Sequence, residues 1–151
     1  MITILGPTAC GKTSVATALA ADMEGEIISA DSRQVYRGMD IGTGKDLADY
    51  VVDGKSVPYH LIDIADPGTK YNLFEYQRDF HDAYNDITSR GVIPVLCGGT
   101  GLYIEAVLKG YSLSTVPQNQ ELRNRLEGKT LEELTALLID LINALSILHG
   151  Y

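Results

Sequence analysis

Near the N-terminus, Gly6-Pro7-Thr8-Ala9-Cys10-Gly11-Lys12-Thr13 follows the pattern G-x-x-x-x-G-K-[ST]. Glycines let such a loop curl, so that its backbone N–H groups converge on a phosphate oxygen. The helix that follows adds positive potential at its N-terminus. Lys12 is the side chain expected on the terminal phosphate. The Thr13 hydroxyl is a ligand suited to Mg²⁺, which takes oxygen donors and retains several waters. Pro7 and Cys10 are compatible with this role, because only backbone N–H groups are needed there. The loop reads phosphates and ignores what they are attached to, so it does not by itself choose a substrate.

Other candidate groups fall where strands are expected to end. Asp31-Ser32-Arg33-Gln34 follows an apolar run, and Gly98-Gly99-Thr100-Gly101 follows another. In open parallel sheets, ligands bind beyond the C-terminal strand ends. Asp31 has two open readings. It is a general base or metal-shell carboxylate, or it caps a short helix. Asp63 is a metal-shell carboxylate or a loop-entry aspartate. Thr100 meets a ligand or caps a helix. For Arg33 and Arg37 solvation is expected, and for Tyr36, His60 and Tyr103 packing is favoured over stacking on a base.

The elements that must position these groups alternate. Residues 1–5 read as a strand and 12–23 as an alanine-rich helix, with Val15 and Leu19 on one face. Residues 26–30 form a second strand. Segment 32–45 has no clean period and reads as a loop. Asp53-Gly54 marks a tight hairpin turn. Residues 60–64 are expected as a third core strand. Asn72 and Glu75 form a capping box for a helix whose apolar face is Leu73, Tyr76, Phe80, Ala83, Tyr84 and Ile87. Residues 92–97 are a fourth strand, which Pro94 assigns to an edge or a bulge. A further helix runs to Lys109 and closes at Gly110. This order predicts an α/β fold: a P-loop NTPase-like parallel sheet flanked by helices, with a helical C-terminal extension. The expected division is a core over 1–115 and a helical segment over 116–151.

The chain has 151 residues, a net charge of −8, 45% hydrophobic and 21% charged residues. These values fit one globular core and exclude disordered, collagen-like and disulfide-scaffold classes. Cys10 and Cys97 lie in no metal-like spacing and read as reduced thiols. No signal peptide or membrane-spanning run is visible, so a cytoplasmic protein is expected. The acidic balance opposes nucleic-acid binding by this chain alone. From Leu131 to Leu148 runs a helix with a wide leucine stripe, capped by Thr130 and Glu133. Such a stripe needs cover, by this domain or by self-association.

Four blocks in one order carry a resemblance: GPTACGKT at 6–13, ISADSRQVYRGMDIGTG at 28–44, VPYHLIDIADP at 57–67 and PVLCGGTGLY at 94–103. Together they resemble the tRNA dimethylallyltransferases, also called tRNA isopentenyltransferases, over residues 1–127. The resemblance implies transfer of a dimethylallyl group from dimethylallyl diphosphate to the exocyclic amine of the adenosine 3′ of a tRNA anticodon. It makes Asp31 the general base, and it matches Thr8 to Thr13, within the loop Gly6–Thr13, to the diphosphate-binding segment. Lys12, the loop N–H groups and Mg²⁺ as cofactor would neutralise the leaving group. Asp31, Ser32, Arg33, Gln34 and Thr100 match tRNA contacts, and Arg123 matches a further one more loosely. Members of that family are substantially longer, and a basic surface for tRNA is expected in the part beyond this chain. The competing readings are a small P-loop kinase and a diphosphate-binding module without catalysis. A kinase of this kind needs an arginine-bearing lid, and only Arg78 and Arg90 lie between Gly38 and Gly110.

Overall fold

A computed structural model describes residues 1–113 and 119–149, with side chains to residue 145. The elements are β1 (Ile2–Leu5), α1 (Lys12–Asp22), β2 (Glu26–Ser29), a 3-10 turn (Leu47–Tyr50), β3 (Val51–Val52), β4 (Lys55–Ser56), β5 (Tyr59–His60), α2 (Leu73–Ser89), β6 (Pro94–Gly98) and α3 (Gly101–Lys109). Then follow α4 (Gln120–Leu126) and α5 (Leu131–His149). Backbone contacts divide the chain into units 1–114 and 115–151.

Four parallel strands form one sheet in the order β1-β6-β2-β5. The later strand β6 is inserted between β1 and β2, pairing Ile4 with Cys97 on one side and Ser29 with Cys97 on the other. Alternation along the strands sends side chains to two layers. Ile28 and Leu96 face Tyr76, Phe80, Ile87, Tyr103 and Ile104 of α2 and α3. Ile27, Val95 and Cys97 face Ala16 and Ala20 of α1 and Tyr50 beside the hairpin. Tyr76 and Tyr103 stack at 3.9 Å, so Tyr103 serves packing.

The Asn72 cap is present in full. Its side chain accepts from the Phe74 N–H at 2.8 Å, and Glu75 accepts from the Asn72 N–H at 2.7 Å. The hairpin β3–β4 also forms, with Asp53 at φ 50° and Gly54 at φ 76°.

Three expectations are corrected. Val15 is 59% exposed, and α1 instead buries Ala16, Thr17 and Ala20. Small side chains let this helix approach the sheet closely, and the larger Val15 falls outside. The third strand ends at His60, because Leu61 and Asp63 adopt left-handed φ of 63° and 55°. The chain turns there to bond residues 34 and 35: the N–H groups of Asp63 and Ile64 donate to the Gln34 and Val35 carbonyls at 3.1 and 2.9 Å. Pro94 lies in a central strand, not an edge. It is the first residue of β6, where its missing N–H interrupts no ladder bond.

In the second unit, Thr130 and Glu133 make the reciprocal cap of α5. Leu137, Leu138 and Leu141 on its stripe are about half exposed. None of the described helices is long and apolar enough to cross a membrane.

At the N-terminal end of the sheet, Glu26 is buried and receives two bonds from Arg90, at 2.6 and 2.9 Å. His60 Nε2 lies 2.7 Å from the same carboxylate. The Arg90 bond chiefly, with His60 adding to it, outweighs burial and holds the Glu26 carboxyl at about 2, against its ordinary 4.5. A depressed carboxylate stabilises the fold above its unfolded value and loses that contribution as pH falls through the folded one. Glu26→Gln should therefore cost about 1–2 kcal/mol at pH 7, a figure discounted because Arg90 is partly solvated. The difference from wild type should vanish between pH 4.5 and about 2, as measured by urea unfolding across that range.

A second test lies at the other end of β6. A Cβ on Gly98 would stand 2.2 Å from the Ala30 carbonyl oxygen, whereas one on Gly101 meets nothing within 4 Å. Gly98→Ala should destabilise by about 3 kcal/mol or more. Gly101→Ala, in the first turn of α3, should be neutral or stabilise by up to about 1 kcal/mol. Thermal unfolding of the two variants checks the contrast.

Candidate diphosphate site

The loop between β1 and α1 bends through two left-handed residues, Ala9 at φ 60° and Gly11 at φ 80°. Gly11 begins the helix, accepting from the Val15 N–H at 3.2 Å. A Cβ on Gly6 would lie 3.0 Å from the Cys10 Sγ, so the loop closes tightly on itself. The Lys12 ammonium folds back across the loop and donates to the Pro7 carbonyl at 2.5 Å. It stands 3.9 Å from the Cys10 Sγ, whose residue is exposed.

Beside the loop is a cavity of about 230 Å³. Thr8, Ala9, Gly11, Lys12, Thr13 and Ser14 line one side. Asp31 and Gln34 enter from beyond β2, and Cys97, Gly98 and Gly99 from β6. The close approach of β6 to β2 brings these together. The Ala30 N–H donates to Cys97 at 2.7 Å, and the Thr100 N–H donates to Ala30 at 3.0 Å. Gly6, Pro7 and Cys10 shape the loop but do not line the cavity.

Asp31 closes a local turn and also borders the cavity. One carboxylate oxygen accepts from the Arg33 N–H at 2.9 Å, closing a local turn, while the side chain borders the cavity and is 17% exposed. Gln34 also lines it, held by Ser29 Oγ and by its own donation to the Gly44 carbonyl, both at 3.2 Å. Thr100, Ser32 and Arg33 are not lining residues. Thr100 Oγ1 accepts from the Ser32 N–H at 2.9 Å and so ties the loop after β6 to the loop after β2. Thr100 begins α3, yet its side chain makes no capping bond. Arg123 lies on α4 in the second unit.

Asp63 is not a cavity residue. Its carboxylate pairs with Lys45, at 2.5 Å, which corrects the metal-shell reading. His60 is committed to Glu26, and the Tyr36 hydroxyl donates to the Thr69 carbonyl at 3.2 Å.

Four further wall residues come from one stretch that has no sequence period: Thr43, Gly44, Asp49 and Tyr50. Thr43 and Gly44 carry a signal only as the end of the block 28–44, and Asp49 and Tyr50 carry none. Tyr50 is buried and lies 4.6 Å from Tyr59, ring to ring. Burial, chiefly, pushes its phenol above the ordinary range, so it stays protonated at neutral pH. Burial likewise pushes the Cys97 thiol up to about 11, only partly opposed by the Lys12 charge. Cys97 is thus a neutral wall, since the thiolate is the reactive form.

Two family models match the chain: one described as IPP transferase over residues 34–146, and one described as Isopentenyl transferase over residues 1–57. A tRNA dimethylallyltransferase 2 of Bacteroides fragilis is 70% identical over 138 residues, which are 91% of this chain and 45% of the relative. A tRNA dimethylallyltransferase 1 of Syntrophus aciditrophicus is 55% identical over 141 residues, 93% of this chain and 46% of the relative. Among solved structures, the full-length tRNA isopentenylpyrophosphate transferase of Bacillus halodurans superposes with a TM-score of 0.70 at 38% identity. The match covers 93% of this chain and 46% of that one. A eukaryotic dimethylallyltransferase acting on tRNA gives 0.78 at 26% identity, over 93% of this chain and 35% of that one. The chain thus spans about half or less of the length of these relatives. The parallel sheet flanked by helices and the matches along nearly the whole sequence agree, and the chain belongs to the IPP transferase family.

Proposed function

We propose that this chain binds a prenyl diphosphate, dimethylallyl diphosphate, at the loop Gly6–Thr13 and transfers the prenyl group to an exocyclic adenosine amine of tRNA. The observation that carries this reading is the juxtaposition of Asp31 with Lys12 and Thr13 around one small cavity. The names of the relatives support the same chemistry. A tRNA anticodon loop is the proposed acceptor, since its bases leave their stack at lower cost than those of a duplex.

In this reading the amine nitrogen attacks the allylic carbon, the carbon–oxygen bond to diphosphate breaks, and the amine proton passes to the Asp31 carboxylate. The adenine amine is a poor nucleophile because its lone pair is delocalised, so a base within hydrogen-bond reach assists as the bond forms. The Lys12 ammonium and the loop N–H groups stabilise the charge that collects on the departing diphosphate. Lys12 then exchanges the Pro7 carbonyl for phosphate oxygen. Thr13 suits Mg²⁺ as a hydroxyl donor. Thr13 is the residue of this chain that would hold it, and among the described residues no group of three His, Cys, Asp or Glu side chains gathers to hold a metal. When bound, Mg²⁺ supplies further charge neutralisation to the leaving group. Gln34, Ser32, Arg33 and Thr100 are the proposed acceptor-side residues in this unit, and Arg123 is one from α4.

The kinase reading draws no support from the arginines. Arg78 is paired with Asp79, and Arg90 with Glu26 and Asp86.

Incubation with labelled dimethylallyl diphosphate, Mg²⁺ and unmodified tRNA tests the proposal, with label expected in the tRNA. Donor binding without label in tRNA would leave a binding module, and turnover of ATP with a metabolite would favour the kinase. Lys12→Ala should weaken binding of a non-hydrolysable prenyl diphosphate by about tenfold or more, read by calorimetric titration, without loss of fold. Unchanged affinity would reject the cradle. Asp31→Asn should keep donor affinity and lower transfer by about 10²–10⁴-fold. A variant that only melts earlier and keeps its rate would reduce Asp31 to a turn cap.

A further inference from the structure

The cavity wall formed by residues 43 and 44 lies in a turn after β2, where the Thr43 hydroxyl donates to the Met39 carbonyl at 2.7 Å. Next to it stands a buried cation. The Lys45 side chain is 1% exposed, and its ammonium reaches Asp63 at 2.5 Å, Asp40 at 2.8 Å and the Tyr36 carbonyl at 2.9 Å. These three partners match the three donors of an ammonium, so a charge withdrawn from water is fully satisfied. Burial alone would lower the lysine pKa, but Asp40 and Asp63 outweigh it and hold the group above its usual range.

The partners belong to two separate loops. Tyr36 and Asp40 lie in the segment after β2. Asp63 lies in the turn after β5, where Leu61 and Asp63 both take the left-handed conformation that non-glycine residues rarely adopt. Such backbone persists only where its surroundings hold it. Asp63 is held from one side by the Lys45 ion pair and from the other by its N–H bond to Gln34. The residue before Lys45 is Gly44, whose carbonyl accepts from Gln34 Nε2. Gln34 in turn borders the cavity beside Asp31.

We infer that Lys45 is a positioning residue for the acceptor side of the site. It clasps the loop after β2 to the turn after β5, and so fixes the Gly44 carbonyl that orients the Gln34 amide. The inference rests on the proposed transfer in taking that wall as the one the acceptor nucleotide meets. The cradle 6–13 is carried by β1 and α1, which do not touch the clasp through any of these bonds. Loss of Lys45 therefore separates the two halves of the site: the donor side stays intact and the acceptor side loosens.

The test uses Lys45→Met, which keeps the stem and removes the charge, and Lys45→Arg, which keeps the charge. Amide hydrogen exchange comes first, because it needs no ligand. In Lys45→Met, exchange at Arg37, Asp63, Ile64 and Ala65 should accelerate tenfold or more, while Thr3, Ile4 and the amides of α1 stay within twofold of wild type; Lys45→Arg should recover part of the protection. Uniform acceleration would mean a general loss of stability, and unchanged exchange would mean no clasp; either overturns the inference. Titration with inorganic diphosphate and with an unmodified anticodon stem-loop follows. Diphosphate affinity should hold within twofold, and stem-loop affinity should fall at least tenfold in Lys45→Met. Equal loss of both, or of neither, overturns the inference. Failure of the wild-type chain to bind diphosphate would instead count against the proposed function, leaving the exchange result to decide the clasp.

Discussion

The site depends on how closely two strand ends approach each other. β6 passes so near the end of β2 that a single methyl on Gly98 would overlap the Ala30 carbonyl. This contact sets where the loop after β6 leaves the sheet, and with it Gly99, which runs close to the Lys12 ammonium. It also sets the start of α3, through the bond from the Thr100 N–H to Ala30. Because β6 lies between β1 and β2, it fixes the separation of the loop Gly6–Thr13 from Asp31. A bulkier residue at position 98 would force the two loops apart, whatever their own sequences favour.

Much of this was legible in the residues, for a physical reason. The motif at 6–13 gathers its glycines, its lysine and its hydroxyl within eight consecutive positions, so its pattern and its conformation are both local. The α2 helix is equally self-declaring, since its period and its Asn72–Glu75 cap are short-range. Legibility failed where the decision is made by distant partners. The apolar run His60–Ile64 has the composition of a strand, yet it turns at Leu61 without a glycine because Asp63 is claimed by Lys45 and by the Gln34 carbonyl. Val15 faces out because closeness to the sheet favours alanine over a larger apolar side chain. Pro94 sits centrally because only its place at the strand start matters. Tyr50 and Thr43 reach the cavity through a segment with no period to read.

Charge is distributed in keeping with this division of labour. The chain is acidic overall, at −8, and three of its arginines are committed to carboxylates: Arg37 to Asp66, Arg78 to Asp79, and Arg90 to Glu26 and Asp86. Positive charge at the cavity comes from Lys12, beside the start of α1. That suits a compact anion such as a diphosphate, and it is a small footprint for a whole tRNA. The relatives are about twice as long or more.

The central claim is that the loop Gly6–Thr13 and Asp31 enclose the diphosphate-bearing donor. Amide-resolved NMR titration of the chain with a non-hydrolysable dimethylallyl diphosphate analogue tests it most directly. The account predicts saturable shifts at the amides of Ala9 through Thr13, with smaller ones at Asp31 and Gly99, and none at the β3–β4 hairpin. Saturable shifts confined to other residues, or no shifts at millimolar ligand, would contradict it.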